Sequence, residues 1–302
     1  MKISTNLFFQ RASQQLVNNQ DRLAEVQLQL GTGKKINKAS DAPEKASTLQ
    51  RLRTVMAQQE SYKGNLDKLT ERLQNQDTAL QNVSNMLSRL RELSIQYANG
   101  TLSADQRRIA AVEVRGIRDQ IYSLANIKDS NGLGVFGGSR VSGQAFSEAG
   151  VYQGDQTSTD VPVGDARVVS NRRSGTDVFI PVSRGSGNSQ TSVGFFKVID
   201  DLAAGLEANR VGDVQRAIGE ITQIHQGISM AQADVGSDLN VVQAQSNVLD
   251  EQILRLKGLE SDLQDVDYAE AVTRMQKEML GLQAAQSSFA QLSKMSLFNY
   301  IG

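Results

Sequence analysis

Few side chains in this 302-residue chain are of a type that could do covalent or metal chemistry. His225 is the only histidine, and cysteine is absent. A transition-metal site needs several His, Cys or carboxylate ligands converging on one point. A lone His225 on the apolar face of a helical run (Val214, Ile218, Ile221, Ile228) therefore predicts a packed or half-exposed structural side chain. No Gly-x-Ser-x-Gly nucleophile elbow accompanies it. Gly31-Thr-Gly-Lys34 has the look of a phosphate loop but lacks its upstream glycine. Lys34 is followed by Lys35 rather than Ser or Thr, and a helix precedes it instead of a strand. Gly137-Gly138-Ser139 lacks the same context. Asp200-Asp201 and the Asp265/Asp267 pair lack the spacing of a calcium loop. The expectation is no enzyme, no cofactor and no metal, with association as the remaining chemistry.

The candidate groups for association lie at the two ends. From Asp265 onward, Asp267 and Glu270 have capping-box spacing, a helix start. Val272, Met275, Met279 and Leu282 then fall at 3-4-3 spacing, and Gln286, Phe289 and Leu292 carry the stripe on. Leu297, Phe298, Tyr300 and Ile301 follow it. At the other end Phe9, Leu16, Leu23 and Leu30 stand seven apart, with Ala12, Asn19 and Val26 on the companion positions. That is a heptad seam with one polar member. Taken alone, residues 1–31 suit a coiled coil or one helix of a globular core. A single narrow seam on each terminal helix stabilises it only marginally by itself, so both are expected to order against neighbours.

Composition limits the partners. Lys and Arg number 32 and Asp and Glu 33, for a net charge of -1, which provides no field for nucleic acid or an anionic membrane. The basic pairs Lys34-Lys35, Arg107-Arg108 and Arg172-Arg173 read as solvated or packing charges. Aromatic residues are 5% and Trp is absent, which suits long aliphatic seams better than a large globular core. No run approaches the roughly 18 apolar residues of a spanning helix. The first ten residues have too short an apolar part, and no cleavage site, for a secretory signal.

The elements that must position these ends follow in order. Gly31 and Gly33 end the first helix. Asp41, Pro43 and Glu44 mark the next helix start. From Glu44 to about Ala98, Leu52, Leu66, Leu73, Leu80 and Leu87 share one heptad position, interrupted by Gln59. Val55, Tyr62, Leu69, Val83, Leu90 and Tyr97 share the other, interrupted by Gln76. At about 1.5 Å per residue this predicts a rod of about 80 Å, closed at Asn99-Gly100 by a left-handed cap. Ser103 and Gln106 form a capping box for a helix to about Asn126. Residues 131–190 hold both remaining prolines and short β-favouring runs at Ala149–Tyr152, Arg167–Val169 and Asp177–Val182. Helical signals resume at Ser192. They predict one helix through Phe195 to Leu206, another through Val214 to Ile228, and a heptad from Leu239 to Leu263.

Three stretches carry a resemblance: Met1-Lys-Ile-Ser-Thr-Asn, the Gly-Thr-Gly-Lys-Lys-Ile-Asn-Lys-Ala-Ser-Asp-Ala-Pro run at 31–43, and Asp265–Met275. Together they resemble the flagellin superfamily. Asn131–Gly138 with Val-Phe-Gly-Gly, Tyr152-Gln-Gly-Asp and the closing Leu292-Ser-Lys-Met-Ser-Leu-Phe-Asn-Tyr-Ile resemble its hook-associated branch rather than filament flagellins. The resemblance implies an inner coiled-coil layer of terminal helices in a ring of identical subunits between the first hook-associated protein and flagellin. It also implies export through a type III apparatus without a cleaved signal, to an extracellular flagellum, with a chaperone on the C-terminal helix. By motif match the assembly surface falls on Phe9, Leu16, Leu23, Leu30, Val272, Met275, Met279, Leu282, Phe289, Leu292, Leu297 and Phe298.

The expected fold is mainly α: a long antiparallel coiled-coil or helical-bundle rod made by the N- and C-terminal halves, with a small inserted β domain. Its expected parts are a terminal coiled coil (1–43 with 265–302), a helical rod (44–130 with 191–264) and a β-hairpin insert (131–190). The expected function is a structural adapter between hook and filament. A filament-forming flagellin-like subunit and a coiled-coil scaffold are the alternatives.

Overall fold

The computed structural model describes residues 2–129, 132–138, 143–157, 160–165, 167–170, 174–185 and 190–301, with the side chains of residues 2–6, 8, 170 and 292–301 excepted. The elements in order are α1 (Lys2–Thr32), α2 (Pro43–Tyr97), α3 (Ala104–Ala125), β1 (Asp160–Gly164), β2 (Arg167–Ser170), α4 (Gly175–Val178), β3 (Val182–Arg184), β4 (Thr191–Val193), α5 (Phe195–Glu207), α6 (Val211–Gln264) and α7 (Tyr268–Ile301). They form two compact units, residues 1–58 with 252–302 and residues 59–251. The predominantly helical fold with a small β portion agrees with the expectation.

The second unit holds the larger core. On α2, Leu66, Leu69, Leu73, Leu80, Val83, Leu87 and Leu90 are all essentially inaccessible, the heptad pattern of the sequence made physical. α6 answers with Val214, Ile221, Ile224, Ile228, Val235 and Val242. Two side-chain contacts set the antiparallel direction in this unit: Ser84 Oγ with a ring nitrogen of His225 at 2.9 Å, and Lys63 with Asp250. His225 is thus a structural bridge between two long helices. α3 packs on α5.

α3 opens with the full capping box: Gln106 N–H donates to Ser103 Oγ at 3.3 Å, and Ser103 N–H donates to Gln106 Oε1 at 2.9 Å. Arg107, one of the basic pairs, is only 2% exposed. Its guanidinium donates to the Tyr97 carbonyl at 3.0 Å, the Asn99 carbonyl at 2.6 Å and the Asn209 side chain. It therefore satisfies orphan carbonyls at the end of α2 and ties them to the α5–α6 turn. Asn209 in that turn has φ of +52°. α2 ends where expected, but neither Asn99 nor Gly100 has a positive φ; Arg107 does the work assigned to a left-handed cap.

The insert is where the sequence expectations needed most correction. Its strands form two separate antiparallel pairs, β1 with β2 and β3 with β4. Arg167–Val169 is a strand as expected. Of Ala149–Tyr152, the first half is a tight turn, with Gly150 N–H donating to Ser147 O at 2.8 Å, and Tyr152 is β-paired, bridging Phe146 in antiparallel sense through Ser147 N–H to Val151 O at 2.9 Å and Gln153 N–H to Ala145 O at 2.8 Å. Asp177 and Val178 lie in the helical turn α4, capped by Ser174. Phe136, Phe146, Phe179, Phe195 and Phe196 form a ring cluster with centroid separations of 5.1–6.1 Å, and edge-to-face geometry dominates it. Five of nine phenylalanines thus weld the insert to α5. α6 is also one unbroken helix rather than two runs. At Gly227 a Cβ would stand 2.6 Å from Ile180 Cδ1, so the bare backbone there admits the insert.

Arg184 on β3 fixes the insert electrostatically. It donates to both carboxylate oxygens of Glu220 at 2.7 Å and to Asp201 at 2.7 Å. The Glu220 hydrogen bonds raise the Arg184 pKa, against the opposing effect of burial. Burial pushes the Asp201 carboxyl up, but hydrogen bonds and charge from Lys197 and Arg184 outweigh it, and the net shift is down.

Two stability outcomes follow from these contacts. Ser103→Ala removes one half of the box and is expected to cost about 1 kcal/mol in urea unfolding. Arg184→Ala leaves two carboxylates facing each other and is expected to cost about 2–3 kcal/mol at pH 7. A carboxylate whose folded pKa is depressed contributes stability above its unfolded pKa of about 3.9. That stability is lost as the pH falls through the folded value. The gap between wild type and Arg184→Ala should therefore narrow below about pH 4, and an unchanged gap would count against the ion cluster.

Candidate assembly interface

The first unit contains every sequence-predicted interface residue. α1 has no strong intrinsic reason to stand alone, since its apolar residues form one stripe. Phe9, Ala12, Leu16, Asn19, Leu23, Val26 and Leu30 are its covered positions, and nearly all flanking residues are exposed. The polar seam member Asn19 is 6% exposed and accepts from Arg22.

α1 packs against α7, beginning from a backbone pairing between the segments beside them. Lys35 N–H donates to Gln264 O at 2.6 Å, Val266 N–H donates to Gly33 O at 3.0 Å, and Lys34 bridges Asp265 in antiparallel sense. Gly33 has φ of +71°, a backbone conformation that favours glycine, and the Tyr268 hydroxyl lies close over it. Side chains complete the clasp. Gln29 Nε2 donates to Lys35 O and Gln264 Nε2 to Ile36 O, each at 3.2 Å, while Gln264 Oε1 accepts from Arg53 at 2.7 Å. Arg53 also reaches Glu260 at 2.9 Å.

The clasp sets the register of α1 against α7. Arg22 lies eleven residues before Gly33, and Glu278, which accepts from it at 3.2 Å, lies twelve after Val266. Phe9 and Phe289, twenty-four and twenty-three residues out, meet edge to face at a centroid distance of 5.8 Å.

Two helix starts behave differently from the sequence reading. Asp267 caps α7 through Ala269 N–H at 2.9 Å and Glu270 N–H at 3.2 Å, but Glu270 turns to Arg274 at 2.6 Å instead of closing the box. Asp41 does not cap α2. Its Oδ2 accepts from Lys38 N–H at 2.7 Å and Asn37 N–H at 3.0 Å, pinning the preceding loop. The Lys38 backbone hydrogen bond leads the effects that hold this exposed carboxyl below its usual pKa.

The α7 seam itself is rotated from the one the apolar residues suggest. The covered positions are Ala271, Met275, Glu278, Leu282, Ala285 and Phe289, a regular 4-3-4-3-4 heptad. Val272 is 39% and Met279 41% exposed, on the flank, with Tyr268 at 57% beside them. Thus Phe9, Leu16, Leu23, Leu30, Met275, Leu282 and Phe289 are brought to the α1–α7 contact, while Val272 and Met279 are left outside it. The side chains of Leu292, Leu297 and Phe298 lie outside the described residues. The sequence gives no signal for Ala271 and Ala285, which are small, or for Glu278 and Gln264, whose partners are visible only in three dimensions. Among the described residues no group of three or more His, Asp or Glu is placed to hold a metal ion, and no helix is long and apolar enough to cross a membrane.

Residues 3–140 match the family model of the bacterial flagellin N-terminal helical region, and residues 218–301 match that of the bacterial flagellin C-terminal helical region. The chain is 27% identical over 314 residues to flagellar hook-associated protein 3 of Salmonella typhimurium and 26% identical over 313 residues to that of Escherichia coli, covering 99% of both chains in each case. The solved structure of flagellar hook-associated protein 3 from Legionella pneumophila shares the fold with a TM-score of 0.64 at 18% identity, over 71% of this chain and 98% of that one. The two matched regions carry the helices that pair at the ends of the molecule, and they account for most of its length: the chain belongs to the flagellin superfamily.

Proposed function

We propose that this chain is a structural adapter of the bacterial flagellum, joining the hook, through the first hook-associated protein, to the flagellin filament. The single observation that carries the proposal is the end-to-end correspondence with hook-associated protein 3 of two species, at 27% and 26% identity and with no unmatched domain in either direction. The structure supports it physically. One face of α7 is used within the chain against α1, while Tyr268, Val272 and Met279 are left exposed on its flank. An apolar flank beside a satisfied seam is the arrangement a further helix can cover.

In this proposal identical subunits form a ring. The terminal parts (1–43 with 265–302) form its inner layer, the long helices the next, and residues 131–190 the outside. The assembly surface combines Phe9, Leu16, Leu23, Leu30, Met275, Leu282 and Phe289, which order the pair, with Val272 and Met279, which neighbours cover; Leu292, Leu297 and Phe298 are assigned to the same surface. Before assembly an export chaperone covers the C-terminal helix, and the chain leaves the cell through the type III apparatus. The work is packing, and no catalytic step is assigned.

The flagellin models also match, which keeps a filament-forming subunit as the second reading. Seeded polymerisation separates the two: an adapter adds a short segment to hook ends, whereas a filament subunit grows long fibres.

Deletion of residues 266–302 is expected to leave the long helices folded by circular dichroism, abolish filament attachment and weaken chaperone binding; an unchanged, attached filament would refute the adapter. A gentler test is Val272→Asp with Met279→Asp. Both positions are exposed in the single chain, so its melting temperature should move little, while filaments per cell should fall at least tenfold.

A further inference from the structure

The corner between α2 and α3 holds a buried charge without a counter-ion, beside a dipeptide that can make one. Arg107 is 2% exposed, and a buried cation is ordinarily paired with an anion. Its acceptors are all neutral: the main-chain oxygens of Tyr97 and Asn99 and the side-chain oxygen of Asn209. Among the described residues no carboxylate lies within ion-pairing distance of it. Asn99, which supplies one of those oxygens, is followed by Gly100 and Thr101, and all three are exposed.

The geometry prepares this Asn-Gly pair to close on itself. Glycine has no side chain to crowd its nitrogen, and a Cβ at Gly100 would meet nothing within 4 Å, so the attacking atom is unobstructed. Among the described residues the Gly100 N–H donates no hydrogen bond. On the side chain to be attacked, Asn99 Oδ1 accepts from Thr101 N–H at 3.2 Å and from Thr101 Oγ1 at 3.0 Å. Two donors on that oxygen stabilise the negative charge it gains when the amide carbon is attacked. The main-chain oxygen of Asn99 accepts from Arg107 at 2.6 Å, which polarises the second carbonyl of the same residue.

We propose that Asn99 is a modification site: in the folded chain it deamidates through a cyclic imide to isoaspartate, and the carboxylate so formed is the missing partner of Arg107. The Gly100 nitrogen bonds to Asn99 Cγ, the Cγ–Nδ2 bond breaks, and ammonia leaves with the proton of the Gly100 N–H. Water then adds its oxygen to the main-chain carbonyl carbon of residue 99. The bond from that carbon to the Gly100 nitrogen breaks, the nitrogen takes one proton of the water, and the other is released as the new acid ionises. The chain now runs through Cβ and Cγ of residue 99, and the freed carboxylate carries the oxygen that Arg107 already holds. Opening at Cγ would give aspartate instead, with its carboxylate on the Thr101 donors, but the pull of Arg107 directs water to the main-chain carbon. A charge-assisted hydrogen bond replaces a neutral one. The exposed turn absorbs the extra backbone atom, with only the 3.4 Å bond from Leu102 N–H to Asn99 O at stake. The reaction needs only water and this corner, whichever assembly the chain serves.

The purified full-length chain, held near neutral pH and sampled by tryptic mapping, tests this. Asn99 falls in the peptide 92–107, apart from the second Asn-Gly pair at Asn131-Gly132. Asn99 is expected to convert in the folded chain, with more isoaspartate than aspartate by fragmentation, and the aged chain to melt a few degrees above the fresh one. Gly100→Ala hinders ring closure while adding a methyl group to open space. It should convert on the order of tenfold more slowly and melt at the same temperature before and after ageing. Thr101→Val keeps the side-chain shape but loses the hydroxyl donor, and should slow conversion several-fold. Asn99 that stays intact in the folded chain while it converts in urea overturns the site. An aged chain that melts no higher than the fresh one, or aspartate in excess of isoaspartate, overturns the pairing with Arg107. An unchanged rate in Thr101→Val overturns the activation by the turn.

Discussion

The ends of this chain depend on one short pairing of backbone groups. Gly33 to Ile36 and Gln264 to Val266 hold each other through two main-chain hydrogen bonds and the amides of Gln29 and Gln264. Neither segment belongs to a sheet, so without that pairing their peptide groups would have only water. Once it forms, α1 and α7 leave it as antiparallel neighbours in fixed register. That is why Arg22 finds Glu278 and Phe9 finds Phe289 far from the clasp. A helix pair with one stripe each has little to choose between neighbouring heptad registers by apolar burial alone. The clasp supplies the missing choice, and buried Asn19, a polar group at a seam position, reinforces it.

The same economy explains why α7 turns the face it does. Burying Ala271 and Ala285 lets two backbones approach closely, and placing Glu278 toward α1 gives Arg22 a partner. The apolar residues with the strongest claim to burial, Val272 and Met279, are left on the flank. A chain that had only its own core to form would bury them. In the proposed ring a neighbour would cover them, and the rotation of this helix would then serve assembly.

Much of this was legible in the sequence because long seams average over many positions. The α2 heptads, the α3 capping box and the Gly33 terminus all have local chemical causes. What was not legible depended on contacts between distant segments. Asp41 had capping-box spacing, yet its carboxylate serves the backbone before it. Asn99-Gly100 looked like a left-handed cap, but Arg107 arrives from the next helix and satisfies those carbonyls. In the insert, runs of four or five residues carry too little periodicity to separate a strand from a turn. Ala149–Tyr152 is β-favouring by composition, yet it starts in a turn and only Tyr152 is β-paired, across from Phe146. On α7, Met275, Leu282 and Phe289 are covered as the spacing predicts, but Ala271, Glu278 and Ala285 take the alternate places that the pattern gives to Val272, Met279 and Gln286, because hydrophobicity ranks Val and Met above Ala whereas helix packing rewards shape.

A subunit that must stay dispersed until it is added to a growing structure faces opposing demands on its surface. Faces of Leu and Ile would bind too early and to too many partners. The outward side of α6 shows a different solution, with amides, hydroxyls and small residues around two exposed apolar side chains, Met230 and Val248. Amides stay well hydrated in the free chain, and burying one without a partner costs on the order of 1–3 kcal/mol. Each therefore penalises any docking that does not place a matching group opposite it. Met230 adds an adaptable apolar contact. Weak attraction combined with a penalty for misfit favours a partner that matches this face over one that does not.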